Sequence, residues 1–262
     1  MGFLRGGIVI GTDRRESEQH FHDAQAAERA AAFATGRADL RFDDADYLDH
    51  ETWVRPAFAK LGDLHGKTAL DYGCGHGMAS VVLARHGADV TGFDLSPGYV
   101  REAELRAEVN GVSARFVVAD GEQLPFTDAS FDVVWGHAVL HHLNIDVAAR
   151  ELWRVLKPGG RAVFCEPWGG NPLLAFARNR LPYPGKHRTP DEQPLRAADV
   201  ESLRQTFPAL TLDPHQLFGM VRRVCRWRML LSPLDAVDRR LFRTLPALGS
   251  WCRYVVLTLP RM

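Results

Sequence analysis

No apolar run in this chain approaches the length of a membrane-spanning helix, so nothing in it reads as a transmembrane segment. Cysteine is scarce: Cys74, Cys165, Cys225 and Cys252 are scattered and form no Cys-x-x-Cys pair. That argues against a disulfide framework or a zinc ribbon and fits a reducing, cytoplasmic setting. An excess of one charge is missing too. The 32 Lys and Arg balance 32 Asp and Glu. A dedicated nucleic-acid binder carries a basic surplus, so the balance argues against a nucleic-acid partner. The first residues, Met1 to Gly11, are too short and glycine-rich for a signal peptide. Position 6 is Gly6, not Ser or Thr, which leaves the myristoylation pattern incomplete. No internal repeat is visible. At 262 residues the chain is long enough to bury a full core, as one domain with insertions.

What is present is concentrated in one stretch. A hydrophobic run, Ala69-Leu70-Asp71-Tyr72, leads into Gly73-Cys74-Gly75-His76-Gly77 and then a helical pattern. Glycine lets a ligand approach bare backbone at such a loop. Asp94 closes the next strand-like run, Ala88 to Asp94. A carboxylate at the end of the second strand suits a ribose diol, because it accepts two hydroxyl hydrogens. The unit reads as a nucleoside holder. It departs from the dinucleotide loop Gly-x-Gly-x-x-Gly, because the third glycine comes one residue early and Met78 takes its place. Asp71 would also repel a pyrophosphate, which disfavours a nicotinamide-dependent oxidoreductase. A carboxylate there suits a ligand carrying an ammonium and a sulfonium.

Around this stretch strand and helix signals alternate. Strands are expected at 67–72, 88–94, 114–119, 131–136 and 160–166, and helices at 77–86, 97–110 and 145–156. Ser96-Pro97 makes a good helix start, and Lys157-Pro158-Gly159-Gly160 a helix stop. Such alternation predicts an α/β fold with a parallel sheet and helices on both faces, with ligands at the carboxyl ends of the strands. Residues 15–36 and 50–61 read as helices ahead of it, 196–206 as a helix after it, and 210–218 and 253–259 as two last strands.

Five segments stand in order: the glycine loop; the run ending in Asp94; Val118-Ala119-Asp120-Gly121-Glu122-Gln123-Leu124-Pro125-Phe126; Ser130 to Trp135; and Leu156 to Gly160. Over about residues 66–166 the chain resembles the class I S-adenosylmethionine-dependent methyltransferases, of the methyltransferase type 11 kind. The resemblance implies a Rossmann-like fold: a seven-stranded, mostly parallel sheet, with the last two strands forming a hairpin. Residues 1–65 would then be an N-terminal helical lid. Residues 66–262 would be the methyltransferase domain, with insertions at 167–195 and 220–249. The cofactor implied is S-adenosyl-L-methionine, with S-adenosyl-L-homocysteine as product. Asp71, Gly73, Cys74 and Gly75 would hold its methionine end, Asp94 its ribose and Leu95 its adenine. Asp120 and Glu122, with the amides around Gly121, would frame the adenine amino group, and His137 would line the cofactor.

For catalysis the resemblance places His141 toward the substrate, with His142 second. Methyl transfer is mostly positioning, and a base is needed where the acceptor must lose a proton. Histidine suits that near neutral pH. The alternative is structural, one ring packed on the sheet and the other solvated. His137 and His141 are four apart, a metal spacing on a helix, but no third ligand stands at a telling distance, and no metal is expected. Glu166 would orient substrate or cap a turn. Tyr47, His50 and Trp53 would close over the cofactor or simply pack. Trp168, Phe176 and Tyr183 would wall a substrate pocket or form the insertion's own core. The Arg-rich stretch 221–243 would lie on an anionic membrane, present a solvated face, or make a homodimer contact.

The expectation is an enzyme that methylates a small organic acceptor such as a secondary metabolite, quinone or lipid-like compound. The alternatives are a transfer-RNA-modifying methyltransferase, which needs a basic surface, and a cofactor-binding protein of this fold with another reaction.

Overall fold

The computed structural model of the chain describes residues 12–36, 39–180, 193–223 and 228–262. Met1 to Gly11, Tyr183, Cys225 and Arg226 therefore lie outside the described residues. The sheet has seven strands: β1 (Thr68–Tyr72), β2 (Asp89–Asp94), β3 (Ala114–Val118), β4 (Phe131–His137), β5 (Leu156–Pro167), β6 (Thr211–His215) and β7 (Tyr254–Pro260). Their order is β3-β2-β1-β4-β5-β7-β6. The first five are parallel, and β7 runs antiparallel to both β5 and β6. β1 and β4 are buried almost throughout because helices cover both faces of the central strands.

The helices are α1 (Thr12–Ala34), α2 (Asp44–Leu48), α3 (Val54–Phe58), α4 (Met78–Arg85), α5 (Pro97–Val109), α6 (Ile145–Val155), α7 (Pro172–Arg180), α8 (Ala197–Thr206) and α9 (Arg228–Thr244). One core, with Trp53, Phe58, Leu83 and Trp135, lies on the face covered by α2, α3 and α4. The other, with Phe164, Leu152, Leu203 and Leu257, lies under α6 and α8. Ser96 caps α5 by accepting from the Tyr99 amide at 3.1 Å, as its sequence predicts.

Three expectations change. The helix expected over 50–61 is the shorter α3, preceded by a turn and followed by a 3-10 turn, Ala59–Leu61. Lys157 to Gly160 is part of β5, at a register irregularity opposite Phe131 to Val133, rather than a turn before it. The segment after β5 contains α7, a helix that its proline and glycine content concealed.

Candidate active site

Register brings the carboxyl ends of the central strands into one row. Tyr72 pairs with Phe93 and Gly136, Asp94 with Val118, and His137 with Cys165. Asp120, Asp94, the glycine loop, His137 and Glu166 therefore follow one another across the sheet. A cleft runs along this row.

The glycine loop turns through left-handed backbone. Gly77 is at φ +82°, and a Cβ there would fall 2.7 Å from the Ala103 Cα, so it is needed for packing against α5. Gly75 is at φ +49° with open space beside it, so its bare backbone faces the cleft. The Gly75 amide donates to Asp94 Oδ2 at 2.9 Å, and the Ser96 amide to Oδ1 at 2.9 Å. Burial pushes the Asp94 carboxyl up, and those amides work against it. Each carboxylate oxygen keeps a further lone pair for a ligand hydroxyl. The carboxylate acceptors therefore fit a ribose diol.

Of the residues expected to bind a cofactor, Gly73, Gly75, Asp94, Leu95, Asp120, Gly121, Glu122 and His137 line the cleft. Asp71 and Cys74 do not. The Asp71 carboxylate turns away to accept from the Ser80 hydroxyl at 2.6 Å, and burial raises its pKa to about 7. Cys74 is buried, and its amide donates to the Phe93 carbonyl at 2.7 Å.

At the far end of the row the two histidines separate. The His141 side chain is only 3% exposed, its Nδ1 2.7 Å from Glu166 Oε2. Glu166 Oε1 accepts from the Val139 and Leu140 amides at 2.9 and 2.8 Å. Burial works to raise the Glu166 carboxyl, but these partners outweigh it and hold it below the usual range. His142 lines the cleft, 4.1 Å from the His141 ring centre to centre, with Nδ1 3.3 Å from Glu18. Of the two, His142 lines the cleft and His141 packs beside it against Glu166. Both lie in a 3-10 turn, Leu140–His142, while His137 ends β4, so the helical spacing behind a shared metal does not arise. Between them Ala138 sits at φ +57°, a strained position for alanine at the cleft floor.

The sequence did not reveal the residues that α1 contributes. Arg15, Glu18 and His22 stand at helical spacing on one face and line the cleft, as does Tyr99 of α5. Arg15 bridges Asp120 at 2.9 Å and Glu122 at 3.0 Å. Asp23 accepts from the Gly98 amide at 3.0 Å, and Arg29 meets Glu102 at 2.7 Å, which ties α1 to α5. α1 is polar on most sides, so periodicity alone marked no inward face. Trp168 is buried in the core and Phe176 is exposed, and neither lines the cleft.

A family model described as a methyltransferase domain matches residues 70–164. A malonyl-[acyl-carrier protein] O-methyltransferase of Pseudescherichia vulneris is 36% identical over 138 residues, which is 52% of this chain and 53% of that protein. A 2-methyl-6-phytyl-1,4-hydroquinone methyltransferase of Synechocystis is 45% identical over 127 residues, 46% of this chain and 40% of that one. The chain spans about half the length of these curated relatives. Among solved structures the [4+2]-cyclase SpnF superposes over 98% of this chain and 99% of its own, with a TM-score of 0.58 and 23% identity. At that identity the likeness is one of fold.

Proposed function

We propose that this chain, whose residues 70–164 match a family model for a methyltransferase domain, is a class I methyltransferase that transfers a methyl group from S-adenosylmethionine to a small organic acceptor of quinone-like or lipid-like character. One observation carries the reading. Asp94 and the open backbone of Gly75 line the same cleft as His142, so a nucleoside holder and a base share one wall. The two relatives' named acceptors, a carrier-bound malonyl group and a phytylated hydroquinone, support the acceptor class.

When bound, the cofactor supplies a methyl group on a sulfonium, already activated for in-line displacement. The chain's residues then mainly position and desolvate. Asp94 holds the ribose hydroxyls, and Asp120 with the backbone at Gly121 frames the base. His142 takes the proton that a hydroxyl or acidic carbon loses on attack. The Glu18 carboxylate stands 3.3 Å from its Nδ1, and His141, held on Glu166, packs against the ring.

The test is calorimetric titration with S-adenosylhomocysteine, with NADH as control, followed by methyl transfer to a panel of hydroquinones and acyl acids. One-site binding of the first nucleoside and none of the second is expected. His142→Ala should lower turnover about 100-fold while its affinity for S-adenosylhomocysteine stays within about twofold. Binding of NADH alone, or of neither nucleoside, overturns the reading.

A further inference from the structure

Tyr47 belongs to α2, outside the residues that match the family. Its buried hydroxyl accepts from Trp135 Nε1 at 2.8 Å and stands 3.4 Å from His137 Nδ1. Hydrogen-bond accounting fixes where the His137 proton lies. The indole nitrogen only donates, so the Tyr47 hydrogen has no use for it. Were Nδ1 also protonated, the hydroxyl would receive two hydrogens and its own would lack an acceptor. With the hydroxyl donating to Nδ1, all three groups are satisfied. The ring hydrogen of His137 then sits on Nε2.

The ring is held by its neighbours. His50 stacks on it at 5.6 Å between centres, and Trp53 meets it edge-on at 5.3 Å. Burial lowers its pKa to about 4, the nearby His50 adds to that, and Glu166 acts the other way. Asp71, Tyr47 and Cys165 stand around the same corner, and Tyr254, with Arg253 over its ring, stacks on Trp53. His137 is therefore neutral near pH 7, with a fixed donor.

His137 lines the cleft on the side of the glycine loop away from Asp94 and Asp120. If those two acids hold ribose and base, the amino-acid end of the cofactor falls beside His137. Arg15 lies at the opposite end on Asp120 and Glu122. Packed on His137, Trp53 carries a buried indole N–H with no partner among the described residues. The acids near this corner, Asp71 and Glu166, already accept from Ser80 and from His141, Val139 and Leu140, so a ligand carboxylate would supply a free acceptor.

We propose that His137, locked as its Nε2–H tautomer by the Tyr47 hydroxyl, binds the α-carboxylate at the amino-acid end of the cofactor. The front segment is then part of the binding site through Tyr47 rather than a cover alone. The inference rests on the cofactor reading above, and the experiment separates the two.

Two ligands differ at the group in question. S-adenosylhomocysteine carries the α-carboxylate, and 5′-methylthioadenosine lacks the whole amino-acid end. His137→Phe should weaken binding of the first about 10- to 100-fold and leave the second within about twofold. His137→Gln, which keeps an N–H donor, should recover most of the loss. Ring-nitrogen NMR of the unmodified chain should show the Nε2–H form of His137 near pH 7, with and without ligand, and Tyr47→Phe should release it to a tautomer mixture. Equal weakening of both ligands by His137→Phe, no weakening of either, or an Nδ1–H or doubly protonated ring overturns the proposal. If the unmodified chain binds neither nucleoside, the cofactor reading itself has failed.

Discussion

Ser80 donates to Asp71 across the start of α4, and that bond turns inward a carboxylate that the loop motif marks as a ligand group. Its environment makes a prediction. Burial raises the Asp71 pKa from 3.8 to about 7. Between those values the unfolded chain has released this proton and the folded chain keeps it. Stability therefore falls as pH rises through the window and levels off above it. Asp71→Asn should melt above the unmodified chain at about pH 8 and level with it at about pH 4. Thermal unfolding across pH checks this, and an unchanged difference at the two pH values would falsify the shifted carboxyl. The histidines teach a related point. Adjacent residues leave a 3-10 turn in different directions, so His141-His142 gives one ring to Glu166 and the other to the cleft. The pair is visible in the sequence, but not which ring faces the cleft.

At the level of elements, α1 is the part that matters most to access. Its middle and end are tied to α5 by Asp23 and Arg29, while near its start Arg15 reaches Asp120 and Glu122. The Arg15 side chain is 43% exposed, so each bridge is screened and the two together are worth on the order of 1 kcal/mol. Arg15→Ala should thus speed dissociation of S-adenosylhomocysteine about fivefold and quicken amide exchange in the first turns of α1. Stopped-flow release and hydrogen exchange measure the two effects. If neither rate changes, Arg15 is not a latch. The expectation of a helix over 15–36 came from composition, whereas its docking depends on partners far along the chain. Arg15 and Glu122 are 107 positions apart and Glu18 and His142 are 124 apart, distances over which no local pattern carries information.

For the molecule as a whole, the C-terminal layer is docked, not loose. Asp238 of α9 is buried and accepts from the amides of Leu217, Phe218 and Gly219 at 2.9, 2.9 and 3.0 Å. Removing it strands three donors. Asp238→Ala should lower the melting temperature by about 5–10 °C. The affinity for S-adenosylhomocysteine should stay unchanged, because the cleft lies at the other strands' ends. A shift under about 2 °C would show that the layer is held by other contacts. Among the described residues no helix is long and apolar enough to cross a membrane.

The sequence by itself determined the alternation of strands and helices, the glycine loop, the Ser96 cap and the positions of Asp94, Asp120 and His137. Each is written in residues close together, where hydrophobic period, glycine spacing and capping chemistry act locally. Only the tertiary structure decided which of these groups face the cleft. It turned Asp71 onto Ser80, set His141 on Glu166, and brought Arg15, Glu18 and Tyr47 to partners far along the chain. Those choices depend on strand register and on pairing between buried polar groups, which exist only once the sheet has formed.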